Sequence, residues 1–201
     1  LANALPKPKF DTLQQELEWR IASKPTRAIE ELLTDSQWDS LSALADSVPE
    51  AFLDGLWPWF LKLYESLAAY TSAAPPAYGF RLPYASDFRF VGENGNSEPP
   101  VLLEALVIAV EKTAKTNPAK FRGWVAIEEA NSLAPIQRLI AHGLTFDAPN
   151  TSSEALEFLL ADTRRLNLGS HRDLRSTTKA LVGACAPYWS DAEVAQFESL
   201  V

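Results

Sequence analysis

The sequence points to an all-α protein whose antiparallel helices form a short solenoid. Apolar residues recur three and four apart along most of the chain, as on a helix with one buried face. Ser, Thr, Asp and Asn stand ahead of these runs, where they cap a first turn. No run alternates as a half-buried strand does. From residue 98 the helix starts fall near 98, 117, 132, 151, 170 and 190. Two helices per about 35–40 residues is the scale of a helical repeat. An irregular helical bundle is the alternative packing. The whole chain reads as about nine or ten helices.

Asp11 can cap a helix carrying Leu13, Leu17 and Ile21, which Pro25 ends or offsets. Residues 26–33 form another short run, and 36–46 one more with Trp38, Leu41 and Leu44 on one side. Ser47 and Glu50 have capping-box spacing, with Pro49 in the permissive first turn. Behind them Phe52, Leu56, Trp59, Phe60, Leu63 and Leu67 make a stripe, widened by Leu53, Trp57 and Tyr64. Such breadth predicts burial on two sides. Pro58 predicts a kink or a boundary inside it.

Residues 71–98 lack helical period and carry Pro75, Pro76, Pro83, Gly92 and Gly95. Tyr78, Phe80, Leu82, Tyr84, Phe88 and Phe90 predict a loop or insertion packed onto the helices. It divides a helical unit at 10–70 from a helical-repeat unit at 99–201. In the latter, Ser97 leads a helix with Leu102, Leu103, Leu106 and Val110 on one face. Asn117 and Pro118 are a cap and an N1 proline, ahead of Phe121, Trp124, Val125 and Ile127. Ser132 opens a helix bearing Leu133, Ile136, Leu139 and Ile140, which Gly143 stops. Thr151 with Glu154, and Ser190 with Glu193, read as capping boxes. Between them Leu174, Thr178, Leu181, Val182 and Cys185 form a face that Pro187 ends.

The chain has 201 residues and a formal charge of -8. That deficit argues against nonspecific nucleic-acid binding, which needs clustered cations. One cysteine and two histidines leave little for disulfide, metal or redox chemistry. No apolar run reaches the ~18–20 residues that span a bilayer. Scarce cysteine places the chain in the cytoplasm by default. The sequence has no methionine and starts at Leu1, so we expect a fragment of a larger polypeptide.

No catalytic constellation stands out. His142, ahead of Gly143, suits a bond to a last-turn carbonyl. Cys185 reads as a buried hydrophobe. The pairs Glu128–Glu129, Glu30–Glu31 and Glu16/Glu18 diverge on a helix and read as solvated. Arg164, Arg165, Arg172 and Arg175 are the one cationic cluster, either a binding corner or salt-bridged to Asp162 and Asp173. Trp59 reads as core, while Trp57 and Trp124 are candidates to face a partner. A small helical enzyme would use Arg81, Asp87, Glu93 and His171. No cofactor or metal is expected.

Residues 153–169 resemble a recurrent segment of very large bacterial proteins, as do Cys185-Ala-Pro187, Trp189-Ser190 and Phe197-Glu198 within 176–200, and residues 102–122. In those proteins a STAND-type, NACHT-like nucleotide-binding domain precedes HEAT-like helical arrays, several of them in antiphage defence. The resemblance implies a HEAT-like solenoid and a scaffold or sensor role, with protein partners or neighbouring domains of the parent chain. The P-loop of the nucleotide-binding domain does not occur in this sequence, so the resemblance carries over no catalytic residue.

Overall fold

The computed structural model describes residues 40–71, 101–169 and 173–200. They form eight α-helices, with no strand among the described residues. These are α1 (Ser40–Ser47), α2 (Pro49–Thr71), α3 (Val101–Thr116), α4 (Pro118–Glu128), α5 (Ala134–Phe146), α6 (Ala148–Ala161), α7 (Ser176–Cys185) and α8 (Asp191–Glu198). Short 3-10 turns at Thr163–Asn167 and Ala186–Tyr188 follow α6 and α7. The helices expected at 11–33 and the aromatic-rich segment at 72–100 lie outside the described residues.

Packing follows a skip-one order. Helix α1 lies on α3, α3 on α5, and α5 on α7. The even helices sit against these: α2 on α1 and α3, α4 on α3, α6 on α5 and α7, and α8 on α6. One contiguous core runs through them, with Phe60, Leu103, Leu106, Phe121, Ile136, Leu139, Ile140, Leu159 and Leu181 fully buried. Several ion pairs tie helices at the surface. Lys112 meets Asp46 at 2.7 Å, Arg122 meets Glu154 at 2.7 Å, and Lys120 bonds Asp54. Exposed pairs of this kind add little each.

Two caps form as the sequence predicts. Asn117 Oδ1 accepts the Lys120 N–H at 3.2 Å, with Pro118 in the first turn of α4. Ser190 and Glu193 make both bonds of a capping box at α8. Other boundaries differ. Helix α5 starts at Ala134, two residues after Ser132, because Asn131 Oδ1 accepts the Leu133 N–H at 3.0 Å and turns the chain there. Gly143 does not stop it, and the helix runs on to Phe146. A Cβ at 143 would meet the Phe121 ring at 2.5 Å and Val110 Cγ1 at 2.8 Å. The glycine is there for close helix contact. Thr151 sits inside α6, not at its cap, and its hydroxyl donates to the Leu144 carbonyl at 2.6 Å. Glu154 is taken by Arg122.

At α2, Ser47 Oγ donates back to the Leu44 carbonyl at 3.1 Å, and Glu50 accepts Asn117 Nδ2 at 3.1 Å. Both side chains are thus engaged outside the expected box. Pro58 does not divide α2, which is helical from Pro49 to Thr71. The proline is exposed, so the carbonyl it leaves unpaired can reach water. Ile127, expected on the apolar face of α4, is instead 77% exposed.

Candidate functional site

The predicted cationic corner begins where α6 ends. Asp162 caps the 3-10 turn by accepting the Arg164 N–H at 3.0 Å. Its carboxylate also takes the exposed Arg164 guanidinium, at 2.6 Å from Nη2. That side-chain bond holds the Asp162 carboxyl below its usual range, against a smaller opposing effect of burial. The same bond raises Arg164.

Arg165 turns the other way and is only 4% exposed. Its Nε donates to Gln137 Oε1 at 2.9 Å, its Nη1 to the Phe158 carbonyl at 2.7 Å, and its Nη2 to the Glu129 carbonyl. The guanidinium lies 4.0 Å over the Phe158 ring centroid, a stacked cation–π contact. Burial pushes its pKa down from the ordinary arginine value.

Arg175 is exposed, and its Nε donates to Asn167 Oδ1 at 3.0 Å. Asp173 accepts the Arg175 backbone N–H at 3.0 Å and Lys179 Nζ at 2.8 Å. Those two donors, Lys179 first, lower the Asp173 carboxyl. Arg172 lies outside the described residues. The described arginines therefore do not share one surface: Arg164 and Arg175 are outside, and Arg165 is in the core.

The tryptophans divide similarly. Trp57 does not face outward, because α2 turns it into the core at 6% exposure. Its Nε1 donates to Glu128 Oε1 at 2.8 Å. Trp124 is half-buried, with its ring edge-on to Trp57 at 4.8 Å between centroids. The Trp124 indole N–H is buried without a hydrogen-bond partner. Trp59 is half-buried and packs against the core.

A polar network that sequence reasoning misses joins these residues. Glu128, expected in solvent, is 5% exposed, and its Oε2 accepts Asn131 Nδ2 at 3.2 Å. Gln137 is fully buried, and its Nε2 donates to the Glu129 and Asn131 carbonyls at 3.0 and 2.8 Å. Its Oε1 takes Arg165, whose own carbonyl accepts Thr178 Oγ1 at 2.7 Å. Arg138, also buried, donates from Nε to Thr177 Oγ1 at 2.9 Å. The chain from Trp57 through Glu128, Gln137 and Arg165 to Thr178 links α2, α4, α5, the 3-10 turn and α7. The one sequence signal is Gln137-Arg138 standing inside an otherwise apolar helix, Ala134–Phe146.

Chemically this network holds backbone together. Its donors meet carbonyls and carboxylate oxygens that burial would otherwise leave unpaired. Cys185 is fully buried, which pushes its thiol up to about 11 and keeps it protonated. His142 Nε2 bonds Glu111 of α3, and α5 continues past Gly143. Among the described residues no group of three His, Cys, Asp or Glu is placed to hold a metal. No described helix is long and apolar enough to cross a membrane. Arg81, Asp87, Glu93 and His171 lie outside the described residues. Set against family models, curated proteins and solved structures, the chain matches none.

Proposed function

We propose that this chain is a non-catalytic helical-repeat segment, a scaffold or sensor part of a larger bacterial polypeptide that contacts protein. The skip-one packing supports the reading most: α1, α3, α5 and α7 follow one another, with even helices set against them. Stacked helical pairs in which each unit meets its neighbours have this contact order. The resemblance to HEAT-like arrays behind STAND-type domains agrees with it and brings with it a part in antiphage defence, while scarce cysteine favours a cytoplasmic setting. Within that proposal, Arg164, Arg175 and the half-buried Trp124 are the described residues of the predicted set with surface to offer. Arg165 and Trp57 support the array from inside.

The test is deletion of residues 101–201 from the parent polypeptide, with nucleotide hydrolysis and complex assembly measured side by side. Hydrolysis retained with assembly lost is the expected pair of results. Unchanged assembly would overturn the proposal, as would substrate turnover by the isolated chain. Nucleic-acid binding through the arginine cluster gains no support, since Arg165 is buried and Arg164 is bound to Asp162.

A further inference from the structure

We draw no further inference here: the strongest candidate, the exposed small-residue patch on α2 and α4 around Ala51, Gly55, Ala119, Gly123 and Ile127, carries nothing because no feature of the structure says what covers it.

Discussion

Arg164 and Arg165 are adjacent, yet an alanine substitution removes different things from each. Alanine at 165 takes donors from Gln137 Oε1 and from the Phe158 and Glu129 carbonyls. Each acceptor stranded in the interior costs about 1–3 kcal/mol, and such losses do not simply add. We expect Arg165→Ala to destabilise by about 3–4 kcal/mol. Arg164→Ala loses an exposed pair with Asp162, and exposed pairs are worth about 0–1 kcal/mol. Urea-unfolding midpoints of the two variants check this, and equal losses would put Arg165 outside the core network. The Trp57–Glu128 bond calls for a double-mutant cycle. Trp57→Phe strands Glu128 Oε1 and Glu128→Leu strands the Trp57 indole N–H, whereas together they strand neither; the bond from Asn131 Nδ2 is lost in Glu128→Leu and in the double variant alike, so it cancels. A coupling of about 1–2 kcal/mol is expected, and a value near zero would mean that the bond contributes nothing. Beyond Gln137-Arg138 standing inside an apolar helix, none of this was legible locally. Glu128 and Gln137 look like ordinary polar residues of helices, and their burial is set by partners 71 and 28 positions away.

At the scale of the element, what could be read depended on the range of the interaction. The caps at Asn117 and Ser190 are formed by residues three apart, so spacing alone revealed them. Gly143 was misread because helix termination and close helix packing leave the same mark on a sequence. Two glycine substitutions separate these roles. Gly143→Ala drives a methyl into Phe121 and Val110, and overpacking of this kind costs about 1–3 kcal/mol. Gly123→Ala has nothing within 4 Å of its new Cβ, on an exposed turn of α4. It should stabilise by about 0.5–1 kcal/mol through helix propensity and a stiffer unfolded chain. Thermal unfolding of both variants should shift in opposite directions. The α8 cap carries a pH dependence. Bonds from the Ser190 N–H, the Ser190 hydroxyl and the Ser153 hydroxyl, in that order, lower the Glu193 carboxyl. A carboxyl depressed on folding stabilises above its unfolded value of about 4.3. That support is lost as pH falls through the lower folded value. NMR titration should therefore find Glu193 ionised below the ordinary glutamate range, with the Ser190 amide signal following the same curve.

For the whole molecule, the all-α class was legible because it follows from the period of apolar residues summed along the chain. The order of packing was not, since periodicity says which face of a helix is buried but not which helix covers it. Skip-one contacts now make a bundle and a stacked array distinguishable by experiment. Helix α7 rests mainly on α5 and α6, and α8 on α6. The Arg165 contacts reach Glu129, Gln137 and Phe158, all of them ahead of α7. A chain ending at residue 168 therefore keeps those three bonds, but loses Thr178 from the Arg165 carbonyl, Thr177 from Arg138, and Leu181 and Cys185 from one end of the core. In a stacked array stability is a sum of unit and nearest-neighbour contributions. The shortened chain should then keep helical circular dichroism for α1–α6 and unfold in one transition at lower urea. In an irregular bundle the core is shared by all helices, so the same cut should abolish cooperative unfolding. Loss of the transition would reject the stacked-array reading even if residual helix persisted. Retention with a lowered midpoint would show that α1–α6 do not need the last two helices to fold.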